Sequence, residues 1–559
     1  MSGPTSGPTS VKHDTCTINR RELLALGAGG LGALALSGTS VTPASAQRRS
    51  PALPNYIPST VATPDIPGNA SGAEPGWINF PRNLAKVVAD TPGRGGEVNA
   101  MSLWVNAIPT PMDRNVAWQR LNTALGTTLK MNFVPQADYA ARWGTVTAGG
   151  DLPDLMYISI VPVLPNVAAF VRSSCADLSE HLGGDAVRAY PGLANLPSAS
   201  WNQCMIDGKL WGVPIARPVT GWPMYVQTTL LERLGMAGAY PTNADQFKAF
   251  CRALTNPAQN RWAFGVTNDT TTGPYSMTWF QGMFRAPNNW RLGPGGALTK
   301  DIETEEYKAA LVYLRELVQL GYVSPDVKAN PDITNDMFAG KIVMRANAWN
   351  AYQQLYVDQA ATLNQVYRIV PPFGHDGNPG TNLLGPGNFG WVAIKRATPD
   401  RVRELLRVVN YLASPFGSEE FMLSKFGVEG VDYTFNQRGS PAYTPQGLAE
   451  LPGGPNTVPW GYVSTPAPWL FSPSVPEYAR FASQEERKMI DVGVADPTWG
   501  HYSPTDARRG AQLARLIFDR VSDVAAGRKP VSDLDRLVVD WKAQGGDEVR
   551  AEYQRAIAG

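Results

Sequence analysis

The sequence predicts an α/β protein built from two lobes, and three observations support this fold class. At 559 residues the chain is longer than one hydrophobic core normally organises, so two lobes or more are expected. Strand-like and helix-like patterns alternate along much of the chain, which favours a mostly parallel sheet covered by helices. A hydrophobic content of 43% and a charged content of 17% are those of an ordinary globular protein and exclude wholesale disorder.

The first 46 residues have the features of an export signal. A twin-arginine pattern, NRRELL, occupies residues 19–24, and the apolar run over 23–36 is too short to span a bilayer. The small residues Ala-Ser-Ala at 44–46 form a signal-peptidase cleavage motif. We therefore expect residues 1–46 to be a twin-arginine signal peptide and the mature protein to lie at the extracellular face, in the cell envelope or in the periplasm. Thr39 stands where a lipobox would place its lipid-bearing Cys.

Regular periodicity begins near residue 97. Before it, residues 47–96 form a Pro/Gly-rich lead-in, whose first part we interpret as a surface tether or an extended lead-in. Gly126 is placed to cap the C-terminus of a helix, and Asn243 the N-terminus of another. From about residue 477 to the end, the sequence predicts a mainly helical segment. The predicted strands cover 97–107, 128–134, 155–160, 341–345 and 367–370, and the predicted helices cover 115–126, 138–148, 243–254, 304–320 and 400–413.

Several separated segments resemble, in the same order, those of a known family. They are EVNAMSLWVNAIPTPMDRN (97–115), VPQADYAARWGTVTAGGDLPDLMYIS (134–159), WGVPIARPVTGWPMY (211–225), GPYSMTW (273–279), GYVSPD (321–326), FAGKIVMRANAWNAY (338–352) and GVEGVDY (427–433). The chain resembles the family 1 extracellular solute-binding proteins of ABC importers, especially the large subgroup with oligosaccharide ligands. This resemblance covers about residues 97–435.

The resemblance implies a periplasmic-binding-protein-like fold of type II, in which two α/β lobes close by hinge motion over a ligand cleft. The implied partners are a carbohydrate ligand, in particular an oligosaccharide, and the ABC permease subunits in the membrane. We expect a monomer and not an enzyme. The expected boundaries are 97–217 for the first part of lobe 1, 218–387 for lobe 2, 388–440 for the return to lobe 1, and 441–559 for a mainly helical segment that packs on the lobes.

A hinge crossing between the lobes is predicted around residues 212–223. Prolines at 214, 218 and 223 stiffen an extended run, while Gly212 and Gly221 allow the chain to bend beside it. Composition alone would favour a Pro-rich surface loop. The order of the resembling segments favours the crossing.

The resemblance also indicates candidate ligand-binding residues. Trp349 occupies the place where family members stack an aromatic ring on a sugar, and Tyr275 and Trp279 correspond to a second aromatic patch. The further candidates are Trp104, Asn106, Asp113, Asp151, Trp222, Tyr225, Asn388 and Trp391. Sugars present C–H faces that pack on rings and hydroxyls that need polar partners. Replacing Trp349 by Ala is expected to abolish binding and to leave the unliganded stability nearly unchanged. Asp154 is expected to serve a turn or a helix cap.

We expect no cofactor and no metal. The GxGxxG pattern at 27–32 has no strand before it and lies in the export signal. Four His and no CxxC disfavour zinc, and the sequence TNPAQNR at 255–261 lacks the carboxylates that calcium requires. After export, Cys175 and Cys204 form a disulfide in one interpretation, whereas in the other they stay free and buried together with Cys251.

Other functions remain open at this stage. A net charge of +1 provides no basic surface for nucleic acid. A secreted carbohydrate-active enzyme would need two carboxylates across the scissile bond, but the acidic clusters at 303–306, 419–420 and 485–486 have basic neighbours and are interpreted as solvated helix faces. The same fold with a peptide or another polar solute is a further alternative, as is a sensor that passes its ligand to a receptor.

Overall fold

The computed structural model describes residues 53–69, 71–160, 163–267, 273–326 and 330–558. The predicted signal peptide, including Thr39 and the glycine motif at 27–32, lies outside these residues. No helix in the described part of the chain is long and apolar enough to cross a membrane.

The secondary structure alternates between short strands and helices and ends in a helical segment. In chain order the strands are β1 Glu97–Trp104, β2 Thr128–Pro135, β3 Leu155–Ile158, β4 Met205–Ile206, β5 Lys209–Leu210, β6 Gly212–Ala216, β7 Met224–Gln227, β8 Trp262–Phe264, β9 Trp290–Leu292, β10 Leu298–Lys300, β11 Ile342–Ala346, β12 Tyr367–Ile369, β13 Asn382–Leu383, β14 Asn388–Ile394, β15 Tyr433–Phe435, β16 Pro441–Tyr443 and β17 Gly493–Val494.

The helices are α1 Val116–Leu125, α2 Tyr139–Gly149, α3 Val167–Ser174, α4 Ser179–Leu182, α5 Pro191–Ala194, α6 Thr228–Arg233, α7 Ala244–Leu254, α8 Met277–Phe284, α9 Glu305–Gln319, α10 Asn330–Phe338, α11 Ala360–Thr362, α12 Pro399–Leu412, α13 Glu419–Phe426, α14 Pro445–Glu450, α15 Tyr478–Asp491, α16 Pro504–Ala525, α17 Asp533–Trp541 and α18 Asp547–Ala558. A π-helical turn, Tyr352–Gln359, precedes α11.

Lobe 1 is built on a five-stranded sheet of order β2-β1-β3-β14-β6. β1 pairs in parallel with β2 and β3, while β14 runs antiparallel to β3 and β6. Nearly every residue of β1 is buried, as expected for a central strand covered on both faces. The predicted parallel arrangement is therefore confirmed for β1 to β3. The returning strand β14 makes the sheet mixed.

Lobe 2 is built on a four-stranded sheet of order β12-β7-β11-β8, in which only β8 and β11 are parallel. Helices α7, α8 and α9 pack on it through residues such as Phe247, Phe280 and Leu314. The C-terminal helices join the same core through residues such as Leu513 and Leu537. The helical C-terminal segment from α16 onward therefore packs on lobe 2.

Within the described residues the chain passes between the two sheets three times. The first crossing, residues 217–223, joins β6 to β7, and the second, residues 370–387, joins β12 to β14. The third crossing, residues 451–477, joins α14, which packs on α1 of lobe 1, to α15, which packs beside the lobe 2 strands. Three connections therefore join the lobes.

The first and second crossings lie side by side. The backbone N–H of Arg217 donates to the carbonyl of Gly387 at 2.9 Å, and that of Gly385 donates to the carbonyl of Val219 at 2.8 Å. Gly221 has a φ of +80°, and a Cβ there would lie 2.4 Å from the carbonyl oxygen of Leu383. Glycine is therefore required where these two crossings meet.

The described part of the lead-in, 53–69 and 71–96, contains no helix and only isolated β-bridges. It is nevertheless not a surface tether. Trp77 and Phe80 are buried against Phe416, and Phe80 also contacts Phe471. Of the two interpretations, the surface tether is wrong and the extended lead-in agrees with the structure, because Leu53 and Ile57 in the first part already pack on the core of lobe 1.

Local signals in the sequence explain several element boundaries. The side chain of Asn115 accepts the N–H of Trp118 at the start of α1, and Gly126 ends that helix with a φ of +64°. Asn243 likewise accepts the N–H of Gln246 at the start of α7. The predicted caps at 126 and 243 are thus confirmed. The first strand ends at Trp104 instead of residue 107, because the Trp104 indole folds back onto the carbonyl of Ala107.

The three cysteines of the described residues are free thiols, and each is buried. Cys175 and Cys204 lie in the lobe 1 core and Cys251 in the lobe 2 core. Of the two interpretations of the sequence, the structure has the one with buried free thiols. Burial also raises the pKa of Cys175 to about 12, so that this thiol stays protonated and unreactive.

Candidate functional site

A pocket lies where both lobes, the first crossing and the third crossing meet; we call it the interlobe pocket. Its cavity volume is about 40 Å³, so little space is left between the two lobes in this arrangement. The lining residues are Glu74, Ala216, Arg217, Pro218, Trp349, Asn350, Gln353, Asn456, Thr465, Pro466, Pro468, Trp469 and Tyr478. They come from the extended N-terminal segment, β6 and the first crossing, the turn after β11, the third crossing and the start of α15.

Trp349 is held rigidly in the wall of this pocket. Its backbone N–H donates to the carbonyl of Gly221 at 3.0 Å, and its indole Nε1 donates to Oε2 of Glu74 at 2.8 Å. Its ring contacts that of Tyr352 and only 2% of the residue is exposed. The expectation that Trp349→Ala leaves the unliganded stability nearly unchanged is therefore wrong, because the substitution removes a buried, hydrogen-bonded ring.

Glu74 and Glu486 form a buried carboxyl pair beside Trp349. Glu486, on α15, accepts the backbone N–H of Glu74 at 2.9 Å and the hydroxyl of Thr220 at 3.0 Å. Burial raises the pKa of Glu486 to about 7. Burial and the adjacent charge of Glu486 raise the pKa of Glu74 well above its usual range. The pair therefore retains a proton at neutral pH, and Glu74 presents a neutral carboxyl group to the pocket.

Planar polar groups line the pocket between the two lobes. Asn456, on the third crossing, donates through Nδ2 to Oε1 of Gln353 at 3.1 Å, and Gln353 belongs to the π-helical turn of lobe 2. Asn350 adds a second half-buried amide next to Trp349. Half-buried amides next to indole rings are the partners that sugar hydroxyls and sugar faces need.

A second aromatic ring lines the pocket from the lobe 1 side. Trp469, on the third crossing, is half-buried, and its ring lies 5.2 Å from that of Phe421 on α13. Arg217, at the end of β6, is half-buried next to it, with its Nη1 donating to the carbonyl of Ala216 at 3.2 Å. The pocket thus has one tryptophan from each side and one cationic side chain.

Two other predicted residues meet in a neighbouring pocket. Trp222 and Trp279 line a small cavity of about 20 Å³ beside the second crossing, together with Phe373 and Leu383. The Trp279 ring also contacts that of Phe373. Since Trp349 is not part of this lining, the structure does not gather the predicted aromatic residues into one site.

The two predicted tyrosines lie in hydrophobic cores. Tyr225, on β7, is fully buried and stacks on Tyr356 with ring centroids 4.2 Å apart. Tyr275 is 9% exposed, has a positive φ of 56°, and hydrogen-bonds Arg528 after the C-terminal helix α16. Neither residue lines the interlobe pocket.

Predicted residues on the lobe 1 strands are also buried. Trp104 and Trp391 are each 3% exposed, and the Trp391 ring covers Gly212 so closely that a Cβ there would lie 2.2 Å from it. Asn388 donates through Nδ2 to the carbonyl of Ser200 at 2.8 Å, which fixes the second crossing to lobe 1. The contacts of these three residues support the packing of lobe 1.

The remaining predicted residues lie at the rim or on the surface. Asn106 hydrogen-bonds the hydroxyl of Thr457 at 3.2 Å, one residue from the pocket residue Asn456. Asp113 and Asp151 are exposed. Asp154, expected in a turn or cap, forms a salt bridge with Arg401 of α12 at 3.1 Å, so its role is to fix lobe 1.

The acidic clusters do not all face solvent. Glu420 is 3% exposed and accepts the N–H of Val88 at 2.9 Å, and Glu486 is buried next to Glu74. The interpretation of these clusters as solvated helix faces is wrong for Glu420 and Glu486. It is also wrong for Glu485, which is half-buried and accepts the hydroxyl of Tyr352 at 2.5 Å.

Several pocket residues were not predicted from the sequence. Arg217 and Asn350 lie inside two of the resembling segments, next to residues that were chosen, so position in those segments could have found them. Glu74 lies in the presumed lead-in, and Asn456 and Trp469 lie in a proline-rich stretch without periodicity. No local pattern marks these three, because only the third crossing and the packed N-terminal segment bring them to the pocket.

The fold, with two α/β lobes, three crossings and a pocket between the lobes, is that of the extracellular solute-binding proteins of ABC importers. No protein-family model matches the chain. Among curated proteins, the chain is similar to the polygalacturonan/rhamnogalacturonan-binding protein YtcQ of Bacillus subtilis (strain 168), with 23% identity over 469 residues that cover 80% of this chain and 88% of that protein. Lipoprotein LipO of the same organism is 21% identical over 487 residues, covering 80% of this chain and 89% of that protein.

Solved structures share this fold at low sequence identity. The N-glycan transport solute-binding protein NgtS of Streptococcus pneumoniae superposes with a TM-score of 0.59 at 13% identity, covering 83% of this chain and 98% of that one. An extracellular solute-binding protein of Bifidobacterium longum subsp. infantis gives 0.61 at 13%, covering 85% and 99%. The alginate-binding protein AlgQ2 gives 0.59 at 14%, covering 85% and 100%.

Proposed function

We propose that the protein is an exported solute-binding protein that captures an oligosaccharide between its lobes and delivers it to an ABC importer. The observation that carries this proposal is the interlobe pocket. It combines two tryptophan rings, Trp349 and Trp469, with the amides of Asn350, Gln353 and Asn456, at the junction of two lobes. Rings for sugar faces and amides for sugar hydroxyls are the expected composition of a carbohydrate site.

The names of the similar proteins support a carbohydrate ligand. Two of these proteins are named for glycans that carry carboxylates, polygalacturonan and alginate. Two others are named with uncharged glycans, Man5GlcNAc and kestose. These names agree on the class of ligand and differ on its charge.

Ligand capture would begin with separation of the lobes about the crossings, because the cavity of about 40 Å³ is too small for a sugar, and would end with their closure over the ligand. The pocket is lined from both lobes, so a ligand there contacts both and favours the closed arrangement. A shape that depends on the ligand is what a membrane permease can recognise. Export through the predicted twin-arginine signal and a monomeric state are parts of the same proposal.

The pocket also favours binding over catalysis. A glycosidase places its two carboxyl groups about 5–10 Å apart across the bond. Glu74 is the one carboxyl group among the lining residues, and its partner Glu486 is in direct hydrogen-bond contact with it. The rival function, a carbohydrate-active enzyme, therefore lacks its second carboxylate at this pocket.

A screen of thermal stability against mono- and oligosaccharides, together with peptides, tests the proposal. A ligand that binds only the native state raises the melting temperature, and calorimetry on each hit then measures saturation. We expect oligosaccharides to bind with no product on prolonged incubation. Cleavage of a bound oligosaccharide, or stabilisation by peptides alone, would contradict the proposal.

A further inference from the structure

The ionisable groups of the interlobe pocket do not balance in charge. Glu74 lines the pocket, but burial and then the adjacent charge of Glu486 raise its pKa well above the usual range, so that it stays protonated. Arg217 also lines the pocket and is charged. At neutral pH the charge that a ligand meets at the pocket wall is therefore positive.

Arg217 has no anionic partner within the described part of the chain. Its guanidinium donates to the carbonyl of Ala216 and contacts the hydroxyl of Tyr462, and both of these acceptors are neutral. An Arg side chain carries five N–H donors in a fork that matches a carboxylate, so these two contacts leave donors of Arg217 open to a ligand.

A second cation lies next to Arg217. Lys425, on α13, is fully buried, and among the described residues its Nζ has no hydrogen-bond partner. Burial, followed by the nearby charge of Arg217, lowers the pKa of Lys425 to about 7. Lys425 is one helical turn from Phe421, whose ring packs on the pocket residue Trp469. Lys425 is not itself a lining residue, and it is connected to the pocket through Arg217 and through Phe421.

In the unliganded protein Lys425 is only partly charged at neutral pH, because burial and the charge of Arg217 disfavour its protonated form. A buried amine without an acceptor loses its hydration and gains nothing in return, and the repulsion from Arg217 adds to this loss. An anion that enters the pocket would reverse both effects, because it pairs with Arg217 and attracts the charge of Lys425. No such gain is available from an uncharged sugar.

We infer that the oligosaccharide bound in this pocket carries a carboxylate, as a uronic acid residue does, and that Arg217, backed by Lys425, pairs with it. This inference rests on the proposed function and deepens it, since it selects the acidic class from the glycans that the fold accommodates. The rings of Trp349 and Trp469 pack on the sugar, while the two cations select its charge.

The test compares acidic probes with their neutral counterparts. Calorimetry on the full-length mature protein uses trimers of galacturonic acid and of mannuronic acid, each beside its methyl ester, so that only the charge differs. We expect at least one acid to bind about tenfold or more tightly than its ester. If neutral oligosaccharides or the esters bind as tightly as the acids, the inference is overturned while the proposed function stands. If no glycan binds, the proposed function fails as well.

Substitutions at the two cations locate the effect. Arg217→Gln should weaken binding of the acid by about tenfold or more and leave the ester unchanged, and Arg217→Lys should retain part of the preference. Arg188→Gln, which removes an exposed charge from lobe 1, is the matched control. Acid binding that survives Arg217→Gln would overturn the inference.

Lys425→Met separates binding from folding. Met fills a similar volume without a buried charge, so we expect a higher melting temperature of the unliganded protein and a weaker affinity for the acid. Opposite signs of these two changes exclude a simple folding defect. An unchanged affinity would remove Lys425 from the site.

Discussion

At the scale of single residues, the pocket depends on how Trp349 is held. Its indole N–H is bound by Glu74 and its backbone by Gly221, so the ring position is fixed before a ligand arrives. A fixed ring loses little conformational entropy when a ligand binds, so less of the interaction energy is spent on ordering it and the affinity is higher. The same contacts mean that ligand binding and stability cannot be separated by truncating this residue to alanine.

Trp349→Phe is the more informative substitution. It keeps an aromatic ring but leaves Oε2 of Glu74 without its donor, so we expect a loss of about 1–3 kcal/mol in the free energy of unfolding and a weaker affinity for the best oligosaccharide. Trp349→Ala should cost about 3–5 kcal/mol. Urea unfolding and calorimetry measure the two effects.

Trp391→Phe provides the comparison for Trp349→Phe. Trp391 is equally buried, in the core of lobe 1, and does not line the pocket. We expect this variant to lose stability and to retain its affinity. Loss of binding in Trp391→Phe, with normal binding in Trp349→Phe, would move the site away from the interlobe pocket.

At the scale of elements, the first two crossings form one unit, because their backbones are hydrogen-bonded to each other. Their closest approach is at Gly221, where the backbone passes next to the carbonyl of Leu383. The backbone N–H of Trp349 donates to the carbonyl of the same glycine. The first crossing and the Trp349 ring are therefore mechanically connected.

Gly221→Ala tests this connection. The alanine would have to keep the positive φ of Gly221. Its Cβ would also lie 2.4 Å from the carbonyl oxygen of Leu383, so the two crossings must move apart. We expect a loss of about 1–3 kcal/mol in unfolding free energy and weaker ligand binding. Gly235→Ala has a similar positive φ but open space around its Cβ, so it carries the backbone strain without the clash. Equal effects of the two variants on affinity would contradict the role of the contact.

At the scale of the whole molecule, the carboxyl pair joins distant parts of the chain. Glu74 belongs to the N-terminal segment, Glu486 to α15, and Thr220 to the first crossing. The pair keeps more protons when folded than when unfolded, because burial raises both pKa values. The stability that this provides is fully present below the unfolded pKa, near 4.5, and is lost as the pH rises through about 7.

Glu74→Gln should reduce this pH dependence. A glutamine mimics the protonated Glu74, since its oxygen accepts from Trp349 and its amide donates to Glu486. In the wild type we expect the unfolding free energy to fall, on the order of 2 kcal/mol from this pair, between pH 5 and pH 8. Urea unfolding at both pH values should show a smaller fall for Glu74→Gln. The exposed Glu477→Gln serves as control, and an identical fall in all three proteins would contradict the assignment.

The sequence determined the local structure and the fold class. Helix α7 and its cap Asn243, the helix α1 that ends at Gly126, and the parallel strands β1 to β3 follow from periodicity and capping, which are encoded within a few residues. The first crossing was predicted over residues 212–223 from its prolines and glycines and the order of the resembling segments; residues 217–223 form it, whereas 212–216 are strand β6 of lobe 1.

Only the tertiary structure decided which side chains meet at the pocket. Trp349 was identified from its place in a segment, but Glu74, Asn456 and Trp469 come from stretches whose sequence has no pattern, and Tyr225 and Trp391 proved to be core residues. Periodicity reports which face of an element is apolar, but it does not report what packs against that face. The pocket exists because three crossings and an N-terminal segment converge, and that convergence is a property of long-range packing.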